Sequence, residues 1–124
     1  MAQDIPALKR CQILQDIASK EGFDFKHIQE VFQKISEEIE ELKEALERGN
    51  LKDLEHELGD ILIAIVELAR FLNLDAERCL QIANDRFERR FNYVKESAKL
   101  MGKQLSQLSL EEIERLWQDS KALD

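Results

Sequence analysis

The only proline of the chain stands at position 6 of 124 residues, and four glycines are the only other strong breakers. An all-β sandwich uses Gly and Pro at turn after turn, so this sparse supply argues against one. What lies between the breakers carries apolar residues at helical spacing, with 44% of residues apolar and 35% charged. That mixture is foreign to a disordered chain and typical of an all-helical one, and the length accommodates one compact core. The expectation is a single all-α domain over residues 1–124, an antiparallel bundle of four main helices plus a short C-terminal helix.

Punctuation divides the chain into five segments. The first runs from about Pro6 to Glu21, opened by the proline and stopped at Gly22. A turn, Gly22-Phe23-Asp24-Phe25, leads into a second helix ending near Arg48, and Gly49-Asn50 breaks it. The third runs from about Leu51 to Leu72. After Asn73-Leu74-Asp75, with Asp75 as N-cap, a fourth reaches roughly Met101 before Gly102. Ser109-Leu110-Glu111-Glu112 is a capping box, flanked by Leu108 and Ile113 as a hydrophobic staple, and opens a last helix to about Ser120.

Acidic residues outnumber basic ones 26 to 18, a net charge of −8. Such a surface repels nucleic acid and anionic membranes, so an anionic ligand would need a cation between it and the protein. The N-terminal run MAQDIPALKR lacks the apolar core of a signal peptide, and Ile61 to Val66 is far too short to span a bilayer. Cys11 and Cys79 have no C-x-x-C spacing and read as reduced, helix-borne thiols, while His27 and His56 form no H-E-x-x-H pattern. These features fit a soluble, cytoplasmic protein.

The second helix has one apolar stripe, Ile28, Phe32, Ile35, Ile39, Leu42 and Leu46. The third has a matching stripe, Leu54, Leu58, Ile61, Ile65, Leu68 and Leu72, with Ile63 and Val66 on the opposite side. A helix apolar nearly all round is covered from several directions, and a homodimer is the economical way to supply the cover.

Two carboxylates interrupt that helix. Glu57 and Asp60 are three residues apart and share a face, with the small Ala64 continuing their line. On the second helix Glu38 and Glu41 repeat the spacing on the flank of the stripe, beside Lys34 and Ala45. Folding the helices back at Gly49-Asn50 sets Glu41 and Glu57 each about 12 Å from the bend, with Glu38 and Asp60 one turn further along. The four carboxylates then form a quartet of hard oxygen donors suited to Mg²⁺ or Mn²⁺. The bland alternative is that i, i+3 acidic pairs arise by chance among 26 acids and face solvent. On the fourth helix Asn84, Arg86, Arg89 and Arg90 cluster within two turns, with Phe87 and Phe91 read as core. The arginines suit phosphate oxygens, unless Asp85 and Glu88 merely neutralise them. Trp117, the only tryptophan, reads as core or interface filler.

Glu38-x-x-Glu41, sixteen residues on to Glu57, and then Glu57-x-x-Asp60 within Glu-Leu-Gly-Asp-Ile-Leu together resemble the metal motif of the MazG nucleoside triphosphate pyrophosphohydrolases. The resemblance extends over nearly the whole chain, through Pro6 to Arg10, Gly22 to Phe25, Leu68-Ala69-Arg70, Ala83-Asn84, the run Arg86 to Phe91, and Leu116-Trp117. It is to the C-terminal domain of the two-domain members. It implies a dimeric all-α pyrophosphatase fold that converts an NTP or dNTP to the monophosphate and pyrophosphate with Mg²⁺, in clearing nucleotide pools. It also implies metal ligation and catalysis by Glu38, Glu41, Glu57 and Asp60, with Mn²⁺ as a substitute ion. Substrate contacts fall to Lys34, Asn84, Arg86, Arg90 and Trp117, and the general base is either a carboxylate of the set or one just outside it such as Glu37. Arg86 stands where the family often has Lys, and Asp53 and His56 fall at variable positions. Rival readings are a sister pyrophosphohydrolase acting on dCTP, dUTP or phosphoribosyl-ATP, and a non-catalytic dimeric helical module. The dimer could extend to a higher oligomer.

Overall fold

The computed structural model describes residues 4–124. Among these the chain is mainly helical and has no strand: α1 (Ala7–Lys20), α2 (Ile28–Arg48), α3 (Leu51–Phe71), α4 (Ala76–Leu100) and α5 (Leu110–Ser120). Two single 3₁₀ turns, Leu105–Gln107 and Lys121–Leu123, complete it. The all-α expectation therefore holds, and the element boundaries fall within a residue or two of the punctuation.

Each boundary has a local cause. Pro6 caps α1 from just outside its first turn, and its carbonyl accepts from Arg10 N at 2.9 Å. The α2–α3 hairpin turns on Gly49, whose φ of +70° is a left-handed conformation that costs a residue with a Cβ. Asn50 then caps α3, its Oδ1 accepting from the N–H groups of Lys52 and Asp53 at 2.9 and 3.3 Å. Asp75 caps α4 through Glu77 and Arg78 N–H groups. At α5 the capping box is reciprocal: Ser109 Oγ accepts from Glu112 N, and Glu112 Oε1 accepts from Ser109 N.

The chain forms two compact units, the first up to Cys79 and the second from Leu80 to Asp124, so the division falls inside α4. In the first unit α2 and α3 make the most extensive helix pair, and α1 packs on α3. Val31 and Ala45 on α2, and Ala64 and Val66 on α3, are buried. Ala64 and Val66 lie about 200° apart around α3. That helix is thus covered on two sides, while Leu58, Leu62, Ile63 and Ile65 between them remain about half exposed. Gln12 joins α1 to the α3–α4 turn, donating to Leu74 O at 2.9 Å and accepting from Ala76 N at 2.8 Å. In the second unit Val94, Ala98 and Leu108 are the buried apolar residues.

Two packing expectations are corrected. The most buried line of α2 is Val31, Glu38 and Ala45, one heptad apart, rather than the apolar stripe itself. Phe32, Ile39 and Leu46 of that stripe stay exposed, because one neighbouring helix covers only one side of a broad stripe. Phe87 and Phe91 are likewise exposed instead of core. They lie on the aromatic side of α4, where their rings pair with each other and Phe87 with Trp117.

Candidate active site

The carboxylates of α2 and α3 meet across the hairpin. One oxygen each from Glu38, Glu41 and Glu57 lies within 4.8 Å of the others. A second set overlaps it through Glu57, with one ligand atom each from His56, Glu57 and Asp60 within the same limit. Asp60 thus reaches the acidic cluster through Glu57, and its Oδ2 lies 3.3 Å from His56 Nε2.

Burial makes this cluster unlike a solvated acidic face. Glu38 is only 4% exposed, because it occupies the α2 line that packs in the hairpin. Its Oε1 is held by Lys34 Nζ at 2.8 Å, one turn earlier on the same helix. Its Oε2 is buried and has no partner, and the same is true of Glu57 Oε2. A buried carboxylate oxygen without a donor is costly. The charge of Glu38 pushes the Glu41 carboxyl above its usual range, helped by a hydrogen bond with Glu57. Lys34 is raised as well, its ammonium favoured first by the Glu38 hydrogen bond. Two orphaned oxygens and a repelling third carboxylate fit a hard divalent cation, which prefers oxygen ligands of this kind.

The basic candidates lie in the second unit. Arg90 is mostly buried and pairs with Asp124, and Arg89 reaches the same carboxylate at 3.9 Å. Among the described residues, then, the acid that meets these arginines is Asp124 and neither Asp85 nor Glu88. The guanidinium of Arg90 also sits 5.5 Å from the centroid of the Trp117 ring, a cation–π arrangement. Phe87 packs against the same ring at 5.5 Å, tilted by 55°. Phe87, Phe91, Val94, Leu105, Ile113 and Trp117 line an open apolar hollow. Asn84 and Arg86 are exposed on α4.

Residues 15–95 match the MazG nucleotide pyrophosphohydrolase domain. The chain belongs to the MazG family. A Thermotoga maritima protein named nucleoside triphosphate pyrophosphohydrolase/pyrophosphatase MazG is 40% identical over 120 residues, covering 97% of this chain and 46% of that protein. An Escherichia coli nucleoside triphosphate pyrophosphohydrolase is 38% identical over 121 residues, with 96% and 46% covered. A 69-residue stretch, 56% of this chain, is 45% identical to 14% of YabN of Bacillus subtilis, named as an uncharacterized protein. The chain therefore spans about half the length of the two pyrophosphohydrolases it matches.

The MazG match encloses Lys34, the four acidic positions, Asn84, Arg86 and Arg90, while Trp117 lies beyond it. Outside the acidic cluster, this MazG chain is tied together by an ion network that motif spacing does not reveal. Arg70 of α3, with a side chain 10% exposed, reaches Asp16 of α1 at 3.0 Å, Asp24 of the following turn at 2.9 Å and Glu67 at 2.8 Å. The Arg70 hydrogen bond holds the Asp24 carboxyl down at about 2, whereas burial pushes the Glu67 carboxyl up. Gln15 of α1 is equally hidden from a sequence reading: it is buried and donates to Ile63 O at 3.0 Å. Both cysteines are free. No helix among the described residues is long and apolar enough to cross a membrane.

Proposed function

We propose that residues 1–124 act as one functional domain that hydrolyses nucleoside triphosphates to the monophosphate and pyrophosphate with a divalent cation, Mg²⁺ or Mn²⁺. The observation that carries this reading is the pair of buried, partnerless oxygens on Glu38 and Glu57, converging with Glu41 across one hairpin. Membership of the MazG family and identities near 40% to proteins named for this reaction support it.

Glu38, Glu41, Glu57 and Asp60 would hold the cation, which when bound neutralises phosphate charge and acidifies water. Lys34 is fixed on Glu38, and its half-exposed ammonium offers a point charge to a phosphate oxygen. Arg86 and Arg90 bring guanidinium forks that match phosphate geometry, Asn84 adds a neutral donor, and Trp117 adds an aromatic face. Glu37, exposed and accepting from Gln33 at 3.3 Å, is the candidate to take the proton of an attacking water. This division of labour resolves the charge puzzle, because an acidic protein takes up a polyanion through cations.

The test is pyrophosphate release from the canonical NTPs and dNTPs, with Mg²⁺ and with EDTA. Metal-dependent formation of monophosphate and pyrophosphate supports the reading, and the ranking of substrates reports base preference. Orthophosphate release assigns the cleavage to another bond. No product from any triphosphate, in a protein that is folded and binds Mg²⁺, counts against it.

A further inference from the structure

The arginines of α4 already hold an anion that belongs to the chain itself. Arg86, Arg89 and Arg90 leave the helix within an arc of about 100°. The Asp124 carboxylate pairs with Arg90 Nη2 and lies 3.9 Å from Arg89 Nη2. The Arg90 hydrogen bond, with the charges of Arg86 and Arg89 behind it, holds the Asp124 carboxyl below its usual range. Built structure delivers it there. The fully buried Ser120 donates its hydroxyl to Trp117 O at 2.5 Å. The single 3₁₀ turn Lys121–Leu123 follows, closed by Asp124 N on Lys121 O at 3.3 Å. Yet the fit is incomplete. Asp124 engages Arg90 through Nη2, while Arg90 Nε is buried and has no acceptor. A guanidinium fork can present Nε and Nη together to a carboxylate or phosphate, and a buried donor left open is costly. A tie between that 3₁₀ turn and α4 needs one arginine. Three of them, with a donor still open, are the equipment of a seat for a polyanion.

We propose that the Asp124 carboxylate is an internal competitor: it occupies the seat that a phosphate group of the substrate takes on Arg86, Arg89 and Arg90, and it leaves when that group binds. The inference rests on reading Arg86 and Arg90 as phosphate contacts, and it adds Arg89 to them. The exchange is one anion for another on the same guanidinium groups, so the affinity for the incoming phosphate is reduced by whatever holds Asp124 in place. The chain thereby weakens its own hold on polyphosphates, substrate and pyrophosphate product alike. Asp124 opposes entry and favours release.

The experiment titrates tripolyphosphate into the whole chain by calorimetry, in EDTA and at low ionic strength, so that no cation bridges the probe to the carboxylate cluster. Asp124→Asn keeps the size of the side chain and removes its charge, and circular dichroism verifies the fold. Its Kd should fall about three- to tenfold, the worth of a partly exposed, charge-assisted contact. Asp119→Asn removes the same charge from an exposed position of α5 and should change the Kd less than about twofold. With Mg²⁺ and a nucleoside triphosphate, KM should fall in Asp124→Asn alongside the Kd. An unchanged Kd overturns the proposal. A higher Kd also overturns it and makes Asp124 a positioning residue that holds Arg90 in place. An equal gain in Asp119→Asn overturns it, since net charge alone is then at work. No binding of tripolyphosphate to Asp124→Asn removes the seat altogether. A gain in Kd that KM does not follow shows that the substrate does not use the seat, and likewise overturns it. No hydrolysis by either protein overturns the pyrophosphohydrolase reading, while the tripolyphosphate comparison still decides whether Asp124 competes for the arginines.

Discussion

Glu38 occupies a place where helix packing would ordinarily put an alkyl group. It is nearly inaccessible, and Lys34 satisfies only one of its oxygens. Charge placed at such a position works against folding unless something binds it. Metal-free protein should therefore be strained by its own site, and Glu41 is the place to relieve it without stranding Lys34. Glu41→Gln should raise the melting temperature in EDTA by a few degrees and remove the stabilisation that Mg²⁺ confers. In the unmodified protein that stabilisation should reach about 2.7 kcal/mol at a hundredfold excess over Kd; differential scanning calorimetry reads both. A second residue-scale prediction concerns acid. Asp24 has its folded pKa lowered to about 2 by Arg70, below an unfolded value of 3.8. The stability it contributes is present above pH 4 and is lost as pH falls from 4 to 2. For a carboxylate this open to solvent it is on the order of 1 kcal/mol after screening. Glu67, raised by burial, runs in the opposite sense. The decline of melting temperature between pH 4 and 2 should be shallower in Asp24→Asn. Much of the acidic site was legible, because i, i+3 and i, i+4 spacing on two helices joined by a tight turn fixes which side chains meet. Arg70 with Asp16 and Asp24, or Arg90 with Asp124, was not, since those pairs join positions 34 to 54 residues apart with no spacing rule to connect them.

The α2–α3 hairpin is the element on which the site depends. Gly49 and Asn50 set the register that brings Glu41 opposite Glu57, and both do so through backbone chemistry. A Cβ at Gly49 with φ of +70° would cost about 1–2 kcal/mol, and losing the Asn50 cap would cost about 1 kcal/mol. Gly49→Ala and Asn50→Ala should therefore lower urea stability and weaken Mg²⁺ binding together, as measured by denaturation and calorimetry. Ser109→Ala removes a cap of similar strength from α5 and should lower stability while leaving Mg²⁺ affinity unchanged. Equal loss of Mg²⁺ affinity in all three would show that metal binding follows global stability instead of hairpin register. The same punctuation explains why the helix limits could be read so closely in advance: Gly22, Gly49, Asn50, Asp75 and Ser109 act on neighbouring residues, within reach of a local reading. Which face of α2 is buried was a different matter. The Val31–Glu38–Ala45 line is chosen by how two helices fit, and that fit outweighs the broader apolar stripe.

At the scale of the molecule, the apolar surface left over is the outstanding feature. Leu14 and Ile17 of α1, with Leu62 and Ile63 of α3, are each about half exposed within the first unit. A monomer in water seldom leaves so much apolar area uncovered, so we expect a second copy to cover it. The charge of −8 makes the nature of that association testable. Two such chains repel each other, and the attraction must come from apolar burial, which salt does not screen. Light scattering after gel filtration should give twice the chain mass at micromolar concentration, and the dimer should persist or tighten in about 0.5 M salt, where the repulsion is screened. Ile63→Glu places a charge on the shared face and should shift the chain to monomer, with α-helical content retained by circular dichroism. Glu41→Gln, on the carboxylate cluster, should remain dimeric. A dimer that dissolves in salt would place its contacts among charged groups instead. A chain monomeric at every concentration would mean that these half-exposed side chains serve something other than self-association.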